Sequence, residues 1–220
     1  MHVTIENLTH IQKNIKDKIN QLQFQNYNPN IVAVSKTFKK DHIIHLVKSG
    51  HVHFGENKVQ EAIEKWPDLK KINEKIKLHM IGKLQTNKVK FAVKIFDYIH
   101  SVDNEKLVNK ISLEETKLGK KIKVFLQVNL DDEIQKSGVS IENLKKLYEY
   151  SLSKHLDVQG LMCLPPFDQD SDKFFNQLAK LNDELKLKEI SMGMSHDYEI
   201  ALKYRSTFIR IGSKIFGNRA

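Results

Sequence analysis

The chain of 220 residues contains one cysteine, four prolines and nine glycines. A lone thiol cannot build a disulfide framework or a cysteine-rich zinc cluster. So little proline and glycine also excludes a collagen-like or linker-dominated chain. Arginine is nearly as scarce, with only Arg205, Arg210 and Arg219 among 36 basic residues. Base reading and tight phosphate clamping favour the planar, bidentate guanidinium. A formal net charge of +9 carried by lysines spread along helical segments therefore reads as solvated surface, and no nucleic-acid partner is expected. Apolar runs stop well short of the ~20 residues a membrane span needs. The start, Met1-His2-Val3-Thr4, lacks the basic-then-apolar order of an export signal. A cytoplasmic protein is the expectation. The ten histidines are scattered, and His42 and His45 lack an evident third ligand, so no metal site is expected.

What is present is an alternation. Short apolar runs at 31–34, 52–54, 78–81, 98–103, 122–129, 156–162, 189–192 and 207–211 predict eight strands. Helical spacing follows each of the first seven, as in Val59, Ala62, Ile63 and Trp66, or Phe174, Leu178, Leu181 and Leu185. Asp41 and Ser140 are candidate helix caps and Gly50 a candidate helix stop. An extra helix within residues 1–25 carries Ile5, Leu8, Ile11, Ile15, Ile19 and Leu22 at spacings of three or four. With 40% apolar and 29% charged residues and no linker, residues 1–220 read as one α/β domain. Eight alternating units predict a single (β/α)8 TIM barrel with the extra N-terminal helix packed on it. An open doubly wound sheet is the rival, but no glycine-rich fingerprint follows the first strand.

Barrel chemistry sits at the C-terminal strand ends. Lys36 directly follows the first strand, where partial desolvation favours the free amine that attacks an aldehyde. Ser195, after the seventh strand, reads as the start of a helix, and Gly212-Ser213 makes a tight turn after Arg210; loops in these places commonly cradle phosphate. An aldehyde-trapping lysine and a phosphate cradle on one rim suggest pyridoxal 5'-phosphate (PLP). Glu56 and Asp103 are rim carboxylates with a candidate part in proton transfer. Cys163 reads as a small buried thiol.

These residues also carry a resemblance. Ala33-Val-Ser-Lys36, Phe54-Gly-Glu-Asn57-Lys-Val-Gln-Glu61, His79-Met-Ile-Gly82-Lys-Leu-Gln85-Thr-Asn87-Lys88, Ser101-Val-Asp103, Gln127-Val-Asn129, Lys136-Ser-Gly138, Gly160-Leu-Met162, Ser191-Met-Gly-Met-Ser195 and Arg210-Ile-Gly212-Ser-Lys-Ile-Phe-Gly217 follow in order. From residue 31 onward the chain closely resembles the pyridoxal phosphate homeostasis family, whose single barrel is like the N-terminal domain of alanine racemase. The resemblance implies that Lys36 carries PLP as an aldimine, that Ser195, Gly212 and Ser213 bind its phosphate, that Arg210 meets the pyridine nitrogen, and that Asn57 lies close by. Ser213 stands where the family usually has Thr. Arg205 stands where Gly is usual, so the turn before the eighth strand is expected to differ.

An arginine facing the pyridine nitrogen opposes its protonation and weakens the ring as an electron sink. Resembling racemases add a catalytic tyrosine from a further domain, and the sequence ends ten residues after Arg210; Tyr198 and Tyr204 read as packing or surface residues. The expectation is a monomeric PLP carrier in vitamin B6 homeostasis with no catalytic residue of its own, serving PLP-dependent apo-enzymes and affecting amino-acid metabolism indirectly. A PLP enzyme with weak racemase-like activity is the alternative. A lysine-rich RNA- or protein-binding barrel with a vestigial site is a third, less favoured reading.

Overall fold

The computed structural model describes residues 2–131 and 137–217; Lys136 of the motif above lies outside them. The strands are β1 (Asn30–Val34), β2 (His53–Glu56), β3 (Lys77–Met80), β4 (Tyr98–Val102), β5 (Lys123–Asn129), β6 (Val139–Ser140), β7 (Asp157–Met162), β8 (Glu189–Ser191) and β9 (Phe208–Ile211). All pair in parallel, in the order β4-β3-β2-β1-β9-β8-β7-β5, and a β4–β5 pairing closes the ring. That ring is the expected (β/α)8 barrel. The two-residue β6 was not foreseen; it hangs on the end of β5 outside the closed ring.

The α-helices are α1 (Val3–Gln21), α2 (Lys40–Lys48), α3 (Val59–Ile72), α4 (Val89–Ile95), α5 (Glu105–Leu118), α6 (Ile141–Ser153), α7 (Ser171–Glu184), α8 (Tyr198–Lys203) and α9 (Ser213–Phe216), and a 3-10 turn at Thr86–Lys88 leads into α4. They bury apolar faces against the outside of the barrel, a core that includes Trp66, Phe96 and Phe175. Helix α1 is the extra N-terminal helix. Its Leu8, Ile11, Ile15 and Ile19 are buried, it contacts α2, α8 and α9, and Asn7 donates to the Ile215 carbonyl at 3.0 Å.

Local details depart from expectation for identifiable reasons. Asp41 is not a cap: α2 begins one residue earlier, and the carboxylate sits in its first turn, where the helix dipole favours it. Ser140 occupies the cap position of α6, but its hydroxyl accepts from Asn143 instead of capping the backbone. Strand β2 runs on through Gly55 and Glu56 because their backbones pair with His79 and Met80. Ser195 does not open a helix; α8 starts at Tyr198 with Asp197 at its cap position, and the Asp197 carboxylate instead takes the Met194 N–H at 2.6 Å. Arg205 adopts φ +55°, the left-handed conformation that favours glycine. The turn therefore keeps a glycine-like backbone, and the guanidinium lies 4.3 Å from the Phe24 ring centroid.

Candidate functional site

A cavity of about 630 Å³ opens at the C-terminal ends of the strands. Lys36, Asn57, Ser195, Arg210, Gly212 and Ser213 all line it. Six residues named from four separate stretches of sequence thus share one wall. Phe38, Leu164, Phe167 and His196 also line it, and sequence reasoning missed them, since nothing in their local pattern sets them apart. Phe167 is 83% exposed at the mouth, and its ring lies 5.0 Å from that of His196.

The segment carrying Lys36 is held from below. Ser35 donates to Glu56 at 2.8 Å. Lys65, reaching in from α3, donates to the carbonyls of Ser35 at 2.9 Å and Phe38 at 3.1 Å, one on each side of Lys36. The same ammonium lies 2.8 Å from both Glu56 and Glu61, and Glu61 also accepts the Thr37 N–H. Thr37 has φ +71°, a strained value for a β-branched residue that needs such surroundings to persist. Glu56 is therefore no rim carboxylate. It is fully buried beneath the site, and burial lifts its carboxyl above the usual range although the Lys65 charge pulls it back. Asp103 does not line the cavity either; it accepts from Asn104 at 2.6 Å.

Arg210 projects from β9 and is 3% exposed. It donates to Ser191 Oγ and, at 2.8 Å, to the Cys163 carbonyl. Burial lowers its pKa from the ordinary value, with Asp197 among the groups opposing that shift. Cys163 is the inert buried thiol expected, pushed up to about 12 by burial. Ser195 Oγ accepts the Gly212 N–H at 3.3 Å. Gly82 lets the β3 end pass tight against Asn57, because a Cβ there would overlap the Asn57 backbone. Asn57 is pinned in this way, and its Oδ1 is buried with no hydrogen-bond partner. A buried acceptor left unmatched on a cavity wall is what a ligand donor would satisfy. Neither Tyr198 nor Tyr204 reaches the cavity: Tyr198 is buried in α8, and Tyr204 donates to Asp172 at 2.7 Å.

Comparison with known proteins gives concordant matches. Residues 7–220 match the family model described as alanine racemase, N-terminal domain. The pyridoxal phosphate homeostasis protein of Aquifex aeolicus is 38% identical over 199 residues, 86% of each chain. That of Pasteurella multocida is 33% identical over 99% of this chain and 98% of its own. Among solved structures, PipY of Synechococcus elongatus with PLP bound superposes with a TM-score of 0.80 at 34% identity, covering 92% of this chain and all 100% of that one. A Clostridium difficile alanine racemase shares the fold at 16% identity and a TM-score of 0.68, with 57% of its chain covered.

Proposed function

Because the chain belongs to the pyridoxal phosphate homeostasis family, built on the alanine racemase N-terminal domain, we propose that it binds PLP reversibly and serves intracellular vitamin B6 balance. The observation that carries this reading is the single cavity on which a lysine, a buried arginine, two serines and an unmatched Asn57 acceptor converge. These donors fit the group: an amine for its aldehyde, hydroxyls for its phosphate, and a cation for its ring nitrogen. When bound, PLP supplies an electrophilic carbon and a ring that can hold electron density.

In this reading the chain's own residues divide the work. Lys36 provides the amine, and the Lys65 clamp holds its backbone so that the amine meets the aldehyde in one orientation. Ser195, Ser213 and the Gly212 backbone take the phosphate. Asn57 accepts a ligand donor near the ring. Arg210 holds a positive charge at the ring nitrogen and keeps a proton off it, because two cations at close range repel. Lys36, His196 and Arg210 are the titratable side chains on the described wall. A carrier needs only the amine, the hydroxyls and the arginine of this wall. His196, 3.3 Å from Asp197, favours the second reading: a base for slow proton exchange in a PLP enzyme of narrow activity. As a carrier the chain works as one unit over residues 1–220, monomeric and cytoplasmic, and passes PLP to apo-enzymes. No described helix is long and apolar enough to cross a membrane.

The test is the visible spectrum of purified protein after PLP addition, then borohydride reduction and peptide mapping. A yellow protein with a pyridoxyl adduct on Lys36, lost in Lys36→Ala, is expected. A protein that takes up no PLP refutes the reading, and measurable racemisation of a pure amino acid would favour the enzyme over the carrier.

A further inference from the structure

The barrel interior holds more than apolar layers. His53 on β2, His79 on β3 and His100 on β4 point inward and touch in sequence. His53 Nδ1 lies 3.0 Å from His79 Nε2, His79 Nδ1 lies 2.8 Å from His100 Nε2, and His100 Nδ1 lies 2.8 Å from Ser191 Oγ. Ser191 in turn accepts from Arg210. His79 stacks on Tyr98 at 4.3 Å and His100 on Phe125 at 4.4 Å, so the rings are locked in plane by aromatic walls. One end of the column is the cofactor-side cavity; the other, at His53, opens on a cavity of about 960 Å³ beneath α1.

The chemistry of the end groups sets the direction of the column. A guanidinium can only donate, so Ser191 Oγ accepts from Arg210 and spends its one proton on His100 Nδ1. His100 then carries its proton on Nε2 and donates to His79 Nδ1. His79 likewise donates from Nε2 to His53, whose own Nε2–H faces the lower cavity. The reverse order would leave the Ser191 hydroxyl proton without an acceptor among the described residues. Every dipole therefore points its negative end at Arg210, and such aligned bonds strengthen one another by roughly 10–30% each. Arg210 has need of this. Among the described residues no carboxylate pairs with it, and the oxygens of nearby Asp197 are taken by Met194, Ser171 and His196.

We propose that His100, with His79 and His53 behind it, is a positioning column for Arg210: a one-way hydrogen-bond chain that stands in for the missing counter-ion and aims the guanidinium into the cavity. The column lets the site present the Arg210 charge to the ring nitrogen with no described carboxylate in contact with the guanidinium. Its importance for PLP rests on the proposed function, whereas the column itself is a property of the protein without ligand. Burial and the neighbouring charges push His79 and His100 well below the ordinary histidine range, consistent with uncharged rings.

Two measurements test this. Nitrogen-15 NMR of the ligand-free full chain at pH 7 should show His53, His79 and His100 neutral and protonated on Nε2. Protons on Nδ1, or mixed or charged rings, would overturn the column whatever binds above it. The second compares two substitutions at a position that touches neither Arg210 nor the cavity. His79→Gln keeps an acceptor and a donor in line, while His79→Leu suits an apolar barrel but cuts the chain. The expected result is a displaced Arg210 side-chain NMR signal and about tenfold weaker PLP binding in His79→Leu, both restored in His79→Gln. A role in packing alone predicts the opposite order, with Leu tolerated and Gln harmful, and would refute the proposal. If wild-type protein binds no PLP, the cofactor reading fails, while the NMR arm still decides on the column. If His79→Leu does not fold, the wild-type tautomers decide.

Discussion

Histidines kept neutral inside the barrel make the fold acid-sensitive in a window where carboxylates barely contribute. His79 and His100 are fully buried, and burial, then neighbouring positive charge, holds both well below 6.5. In the unfolded chain each titrates near 6.5. Below that pH the unfolded state binds more protons than the folded one, so stability falls as pH falls. Each ring then costs about 1.4 kcal/mol per pH unit, and the pair about 4 kcal/mol between pH 7 and pH 5. His51 and His53, lowered to about 4 by burial, act in the same direction, to an extent reduced by solvent screening. Glu56 acts oppositely, because its raised pKa favours proton binding by the folded chain, and offsets at most one histidine. Against a typical stability of about 5–15 kcal/mol, a net loss of about 2–4 kcal/mol is easily read. The assay is urea unfolding of PLP-free protein at pH 7, 6 and 5. His79→Gln should remove about 1.4 kcal/mol per pH unit from the slope. A loss below about 1 kcal/mol from pH 7 to pH 5, or an unchanged slope in His79→Gln, would refute neutral burial of these rings.

Two further substitutions probe the surroundings of the site. Lys65→Met leaves the buried Glu56 charge without its cation and frees the carbonyls flanking Lys36. A loss of about 3–5 kcal/mol in urea and slower PLP uptake are expected, with Glu56→Gln added in the same chain recovering much of the stability; a shift under about 1 kcal/mol would show that the clamp is not strained by the loss. Arg205→Gly removes left-handed strain of about 1 kcal/mol and also a cation–π contact with Phe24 of about the same size. The urea midpoint should hardly move, and a large change of either sign would mean that one of the two terms is misjudged.

The barrel was legible because its signal is repeated: a short apolar run, then helical spacing, eight times over, and each unit supports the reading of the next. What the pattern could not give was where strands stop. Glu56 looks like a loop residue because it is charged, yet it ends β2 buried, with Ser35, Lys65 and Trp66 on its carboxylate. Those partners come from other elements and leave no trace in local sequence. The histidines failed to register for a related reason. Counted along the chain they are scattered, but His53, His79 and His100 each lie within a strand run, and inward-facing strand positions from adjacent strands meet inside a barrel. Polar residues of one parity within adjacent strand runs are the signal that ties the three together in sequence.

Lys36 and Lys65 sharpen the same point for chemistry. Both are lysines on or near the strand-end rim, and residue type alone assigns them equal claims on an aldehyde. Their neighbours separate them. Lys65 Nζ is committed to two carboxylates and two carbonyls, and those contacts aim it away from any ligand in the cavity. Lys36 instead lines the cavity on a backbone that Lys65 fixes. The clamp thus converts one lysine's charge into the other's placement. If so, Lys65→Arg, which keeps the charge but not the compact geometry of an ammonium, should fold yet label Lys36 more slowly with PLP and borohydride than wild type. Equal labelling rates would mean that Lys36 finds its orientation without the clamp.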